Sequence, residues 1–278
     1  MSGVCWYRWC GGNPSNIFRH MRKLVLITGA SSGIGQALAL RYVSQGYCLA
    51  LVARRVDLIK SWLGHYGISA ERYQIYSADV SDISSMAACA QDCMQRQGVP
   101  DVVIANAGIS IGVDSARRED LDVMARILTT NVVGVAATLG PFINAMLTRG
   151  SGTLVGMASV AGIRGLPGHG GYCASKAAVI NYCESLRGEL RSSGVKVVTI
   201  CPGYIATPLT QNNRYPMPFL MQPEVFASRA FAAIEAQVSY RVIPWQMGLV
   251  AKLLRLLPNS LFDKAFARRP RKPRLTDV

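Results

Sequence analysis

Short apolar runs alternate with segments of helical period along most of this chain, and that alternation leaves few folds open. "KLVLITGA" (23–30), "YCLALVA" (47–53), "RYQIYSA" (72–78), "DVVIANA" (101–107), "GTLVGMAS" (152–159) and "VKVVTICP" (195–202) read as strands. Runs this short and this continuously apolar suit strands covered on both faces. "GIGQALALRYVSQG" (33–46) spaces Ile34, Leu38 and Tyr42 along one helical face and ends in glycine. Residues 82–97, 117–149 and 172–193 also read as helices. Strand and helix in strict alternation predict an α/β fold, a parallel sheet with helices on both faces. Right-handed crossovers make that sheet doubly wound. No internal repeat or low-complexity segment precedes the tail, so a single domain suffices.

The charge is unevenly spread. The chain carries a net charge of +14. Residues 241–278 hold nine Lys/Arg against two Asp, and residues 1–23 hold four Lys/Arg and no acid. The body between them is close to neutral, so the ends carry the charge. A duplex-binding protein needs a basic face with a recognition element, and neither is present, so no nucleic-acid partner is expected. The eight cysteines contain no C-x-x-C pair, and Cys89 and Cys93 have no nearby histidine. Reduced thiols in a cytoplasmic protein, with no metal site, are the expectation. No apolar stretch reaches the length of a membrane span. Residues 1–20 have no signal-peptide pattern and no period. They read as an extension, or as a start placed upstream of a working protein that begins at Met21; a short genuine tail is the other reading.

"TGASSGIG" (28–35) falls where the first strand meets the first helix. Its glycines, Gly29, Gly33 and Gly35, let the backbone turn tightly and approach a pyrophosphate, and Ser31, Ser32 and Ile34 complete the loop. The helix N-terminus supplies N–H groups and a positive dipole end. At the end of the second strand, an acid would bind the ribose 2′-hydroxyl of NAD. The sequence instead reads Ala53, Arg54, Arg55. A guanidinium suits a 2′-phosphate where a carboxylate would repel it. NADP(H) is therefore expected over NAD(H).

"TGASSGIG", "NAG" (106–108), Ser159, "YCASK" (172–176) and "PGYIAT" (202–207) occur in that order. Together they resemble the short-chain dehydrogenase/reductase superfamily, in its single-domain branch of about 250 residues with one Rossmann-like sheet. The resemblance runs from about Lys23 to Tyr240. It implies that Ser159 bonds the substrate carbonyl, that Tyr172 is the general acid/base and that Lys176 holds the nicotinamide ribose. Asn131 matches the asparagine that joins a proton relay through water. Asp79 and Val80 match the pair beside the adenine. Asn106, Ala107 and Gly108 match the segment against the adenosine side. Pro202, Gly203, Ile205 and Thr207 match the run that grips the nicotinamide amide. Many members are dimers or tetramers through their fourth and fifth helices, so a homo-oligomer is expected.

Elementary chemistry fits those roles. A free tyrosine has a pKa near 10, too high for easy proton exchange near neutrality. Residues i and i+4 share a helix face, so Lys176 is expected beside Tyr172, its ammonium favouring the phenolate. Ser159 offers a hydroxyl to a developing oxyanion. His169 and Cys173 flank the tyrosine without an ordered base and third partner, and read as pocket wall.

The expected organisation is a catalytic domain over 21–244, with a substrate lid at 204–225, then a basic amphipathic extension over 245–278. Met217 to Met221 make the lid apolar and adaptable, which favours an apolar carbonyl or alcohol as substrate. In the extension, Leu249, Leu253, Leu256 and Leu257 form a stripe with Lys252 and Arg255 away from its centre. Such a helix can lie on an anionic membrane surface, cover the substrate mouth or pack between subunits. The function expected is carbonyl/alcohol oxidoreduction, with a membrane-surface lipid or acyl-chain ketoreductase as a specialised form of it; the rival from another class is a silent NADP-binding sensor or scaffold, because fold alone does not fix function.

Overall fold

In the computed structural model, which describes residues 22–211, 213, 215–267 and 270–277, the six apolar runs form strands. They are β1 (Leu24–Thr28), β2 (Cys48–Ala53), β3 (Tyr73–Ser77), β4 (Val102–Ala105), β5 (Gly152–Met157) and β6 (Val195–Pro202). A seventh strand, β7 (Tyr240–Ile243), was not anticipated. All pair in parallel, in the order β3-β2-β1-β4-β5-β6-β7. The N-terminal extension read at residues 1–20 lies outside the described residues.

The central strands β1, β2 and β4 are buried along their whole length because both faces are covered. Val25 and Ile27 point into one layer with α1 (Gly33–Ser44), α2 (Val56–His65) and α8 (Pro223–Glu235). Leu24 and Leu26 point into the other, with α3 (Ile83–Gln97), α5 (Gly134–Arg149) and α6 (Gly170–Glu189). Successive strand residues alternate between the layers because the strand period is two. Val25, Leu26 and Ile27 are all fully buried, and each such side chain contributes about 1.5–3 kcal/mol by leaving water.

The helix read over 117–149 is interrupted. α4 (Arg118–Leu128) runs into a π turn over Thr129–Val133 and continues as α5. Single π turns inside helices often mark functional positions. By length and composition alone the run Arg118–Arg149 could cross a bilayer; here its Leu139, Phe142 and Met146 are fully buried in the core. Beyond β6 come the short α7 (Pro208–Gln211), then α8, β7, α9 (Trp245–Leu256) and α10 (Asn259–Phe266).

The chain reverses its direction of winding between β1 and β4, which are adjacent. At such a switch point, the loops leaving the carboxyl ends of the two strands diverge and open a crevice. The glycine loop leaves β1 and "NAG" leaves β4 at that crevice.

Candidate functional site

Two connected cavities occupy the carboxyl edge of the sheet. The larger, about 520 Å³, is a cleft lined by Gly29, Ser31, Ser32, Gly33 and Ile34, by Arg54 and Arg55, by Asp79 and Val80, and by Asn106, Ala107, Gly108 and Thr207. The smaller, about 220 Å³, is lined by Ser159, Tyr172, Lys176, Pro202, Gly203 and Ile205. Ile34, Asn106, Gly108 and Thr207 border both. Gly35 and Asn131 line neither cavity.

Gly35 acts from behind the loop. A Cβ there would stand 2.2 Å from the Gly29 carbonyl oxygen and 2.8 Å from Asn106 Nδ2. Asn106 Nδ2 donates to Thr28 O at 3.0 Å, and the N–H groups of Asn106 and Ala107 donate to Thr28 Oγ1 at 3.1 and 3.2 Å. These bonds lock the ends of β1 and β4 together beneath the glycine loop. The result is a shallow floor of backbone at a helix N-terminus, the form that takes a phosphate. The residues present therefore fit a dinucleotide.

Arg54 reaches from the end of β2 to Asp79, with Nη1 3.2 Å from Oδ2. Burial pushes the Asp79 carboxyl up, but the Ser81 hydroxyl and amide and the Arg54 charge outweigh it and hold the pKa below the ordinary value. Arg55, exposed, stands at the start of α2.

Tyr172 lies in the first turn of α6, and Lys176 follows one turn later. Lys176 Nζ sits 5.8 Å from the Tyr172 ring centre and donates to Met157 O at 2.8 Å. Ser159, just beyond β5, is buried; its hydroxyl accepts from Ala161 N at 3.2 Å and donates to Pro202 O at 3.5 Å, and Ser159 and Tyr172 line the same cavity. One expectation is corrected here. The ammonium does not depress the phenol in this structure. Burial pushes Tyr172 up to about 12, only partly opposed by the Ser159 hydroxyl, and burial pushes Lys176 down to about 8. Loss of water is the largest cause for both groups.

Asn131, wholly buried in the π turn, braces the loop after β4. Its Oδ1 accepts from Ile109 N at 2.8 Å, and its Nδ2 donates to Ile109 O at 2.9 Å and to Ser175 Oγ at 3.0 Å. Asn131 Oδ1 and Lys176 Nζ stand 3.1 and 3.5 Å from where a Gly108 Cβ would be.

The wall of the smaller cavity is mostly apolar: Leu166, Met247, Val250, Leu254 and Phe266. His169 joins it as expected, with Nε2 3.1 Å from the Tyr215 hydroxyl. Burial is the main cause holding its pKa below the ordinary histidine value. Cys173 is buried but lies outside the lining, one residue further round the helix from Tyr172. The apolar run of the lid behaves differently from its reading. Among Met217 to Met221 only Pro218 lines the cavity; Phe219 and Leu220 are about half exposed, and Met221 pairs backbone-to-backbone with Ile205. That pairing fixes the base of the lid, so Leu209, Thr210, Asn213 and Tyr215 face the cavity instead.

The C-terminal extension supplies the remaining wall. Met247, Val250, Ala251 and Leu254 of α9, and Phe266 of α10, line the smaller cavity, so one face of this helix is part of its wall. Arg164 fastens it. Its guanidinium donates to the carbonyls of Leu254 and Leu257, the latter at 2.8 Å, and to Asn259 Oδ1 at 3.2 Å, and lies over the Phe262 ring at 3.9 Å. A cation at a helix C-terminus satisfies orphan carbonyls and suits the dipole. Lys272 to Leu275 border the larger cleft. Covering the cavity is one of the three roles read for the extension; no local motif marks Lys272 to Leu275, and the sequence reading does not place them at the cleft.

Among the described residues, no group of three or more His, Cys, Asp or Glu side chains is placed to hold a metal ion.

Comparison with known proteins agrees with this architecture. The family profile described as short chain dehydrogenase matches residues 23–217. An uncharacterized oxidoreductase of Myxococcus xanthus is 36% identical over 249 residues, covering 88% of this chain and 97% of its own. An acetoacetyl-CoA reductase of an Acinetobacter species is 30% identical over 80% of this chain and 90% of its own. Among solved structures, a short chain dehydrogenase/reductase from Burkholderia phymatum in complex with NAD superposes with a TM-score of 0.76 at 24% identity, covering 91% of this chain and 97% of that one. An alcohol dehydrogenase from the archaeon Thermococcus sibiricus complexed with 5-hydroxy-NADP gives 0.71 at 26% identity, covering 80% and 96%. A profile match across most of the chain, joined to a relative this similar over nearly its whole length, places the protein in the short chain dehydrogenase family of oxidoreductases.

Proposed function

We propose that the protein is an NADP(H)-dependent oxidoreductase that interconverts an apolar carbonyl compound and its alcohol in the cytoplasm. The observation that carries this reading is that Ser159, Tyr172 and Lys176 line one mostly apolar cavity, which shares Ile34, Asn106, Gly108 and Thr207 with the glycine-loop cleft. When bound, the nicotinamide supplies or accepts the hydride. Ser159 orients the carbonyl oxygen by hydrogen bonding. Tyr172 gives that oxygen its phenolic proton as negative charge develops there, leaving the alcohol; in oxidation the phenolate takes the proton back. Lys176 holds the ribose and returns a proton to Tyr172. Asn131 keeps the strand-end loop and α6 in register, beside the relay of protons.

Arg54 and Arg55 support NADP(H). The Arg54 side chain is 70% exposed, and an exposed ion pair such as Arg54–Asp79 is worth only ~0–1 kcal/mol, so a 2′-phosphate can compete for the guanidinium. The structural neighbours hold NAD in one case and an NADP derivative in another, so the arginines carry this choice. The reductase activity named for the Acinetobacter relative supports a carbonyl substrate.

NADPH consumption measured against a panel of ketones, aldehydes and acyl-chain carbonyls tests the reading. Wild type should reduce at least one compound, and Tyr172→Phe should lose roughly 10²–10⁴ of that rate. Wild-type rates no higher than those of Tyr172→Phe on every compound would favour the silent sensor. Arg54→Asp should shift preference toward NADH; a wild type using NADH as well as NADPH would remove the cofactor assignment.

A second reading concerns α9. Its inner face lines the cavity while Trp245, Leu249, Leu253 and Leu256 are 62%, 53%, 65% and 80% exposed. Lys252, Arg255 and Lys264 are exposed beside them. Apolar residues rimmed by cations match an anionic bilayer surface in both chemistry and charge. We propose peripheral binding there, on the membrane's inner face, which would bring an apolar substrate to the cavity mouth. A homo-oligomer, as in many members of the family, is compatible with this face remaining free.

A further inference from the structure

The C-terminal segment crosses the cleft from one lip to the other. On the β4 side, Gly112 N donates to Pro273 O at 2.9 Å. A Cβ on Gly112 would stand 2.1 Å from the Lys272 carbonyl oxygen, so only glycine admits the segment at that approach. Arg274 then closes a forked pair with Asp120, at 2.6 and 2.9 Å, and reaches Glu119 at 3.1 Å. Asp120 is itself buried and also accepts from Asp114 N at 2.7 Å, so the fork is anchored to a fixed partner. On the opposite lip, Lys272 Nζ donates to Leu209 O at 2.9 Å and to Asn213 Oδ1 at 2.7 Å.

Lys272 is the anomaly in this arrangement. It is 8% exposed and borders both cavities. Both of its hydrogen-bond acceptors are neutral, and among the described residues no carboxylate pairs with it. Burial holds its pKa below the ordinary lysine value. A buried ammonium without a counter-charge is costly. Three N–H groups and two acceptors leave one donor over. The same cleft is floored by the glycine loop and the N-terminus of α1, which attract anions independently.

We propose that Lys272 completes an oxyanion site with the N-terminal turn of α1, and that this site takes the pyrophosphate of the bound nicotinamide dinucleotide beneath the C-terminal segment. The proposal rests on reading the larger cleft as the nucleotide site. It gives the basic tail a role in cofactor affinity, separate from any role of α9 in substrate access. Arg274 is a positioning residue in this scheme, because it acts by holding Lys272 in place.

The test is a fluorescence titration of the full-length protein with NADPH, without substrate, at two salt concentrations. Losing one charge-assisted contact should weaken binding roughly 10- to 100-fold in Lys272→Met and in Lys272→Gln. Lys272→Arg should stay within about threefold of wild type, and the two neutral variants should show a shallower salt dependence. The Gln variant keeps a polar, uncharged side chain at this position, and thermal melts without nucleotide report whether each variant is folded. Wild-type affinity in both neutral variants would overturn the proposal. Unchanged NADPH affinity with a raised KM for an anionic substrate would also overturn it, and would assign Lys272 to the substrate. A wild type that binds neither NADPH nor NADH would instead remove the reading of the cleft, and this proposal with it.

Discussion

Tyr172 and Lys176 were legible as a pair because four residues is one helical turn, and the structure does set them on neighbouring turns of α6. What spacing does not encode is the loss of water, and here that decides their titration. The phenol rises to about 12 and the ammonium falls to about 8. The phenol is therefore protonated at neutral pH and set to act as an acid, which suits reduction. Lys176 carries a consequence for stability. Its pKa is lower in the folded chain than in the unfolded one, so the unfolded chain binds more protons between about pH 8 and the ordinary value of 10.5. Stability contributed by this group thus rises with pH across that window; the cost of burying the ammonium is fully present below about pH 8 and fades above it. Lys176→Met should flatten the rise in melting temperature between pH 8 and 10. A variant whose melting temperature keeps the wild-type slope would show that other groups produce it.

Elements were legible where periodicity and burial agree. The six strands in which apolar residues predominate were readable, and so were the long helices. β7 was not, because it is four residues long, sits at the sheet edge and carries Tyr240 and Arg241 exposed. The tail segment across the cleft was not legible either, since its place depends on Gly112 and Asp120, both more than 150 positions away in sequence. The strand–turn–helix unit at the glycine loop was the best-marked element, and its geometry supports a sharp prediction. A Cβ at Gly35 meets backbone oxygen at 2.2 Å, so Gly35→Ala must push the loop away from the strand end it rests on. Overpacking of this kind typically costs ~1–3 kcal/mol. Gly35→Ala should melt earlier and bind NADPH at least tenfold more weakly. Gly140→Ala, on α5 with nothing within 4 Å of the added Cβ, is the matched control and should be neutral or slightly stabilising. Equal behaviour of the two variants in both assays would refute the packing argument.

For the molecule as a whole, the two halves of the C-terminal extension face different tasks. Arg164 ties the end of α9 to the loop after β5, and Arg274 ties the tail to α4, so the extension is fastened to the body at two points. That leaves the outer face of α9 unexplained by internal packing: Leu253 and Leu256 are 65% and 80% exposed. A solvated helix gains nothing from leucines there, whereas each leucine entering the acyl boundary of a bilayer leaves water and the flanking cations approach anionic headgroups. Binding should therefore need both parts, and each can be removed separately. Co-sedimentation with vesicles rich in phosphatidylserine should be strong for wild type at low salt. It should fall severalfold in Leu253→Ser/Leu256→Ser and in Lys252→Gln/Arg255→Gln, and weaken for wild type as salt rises. Neutral phosphatidylcholine vesicles should retain little protein. If the leucine variant still pellets as wild type does, the membrane is not what covers this face. If that variant instead loses a dimer seen by light scattering, a second copy of the chain is.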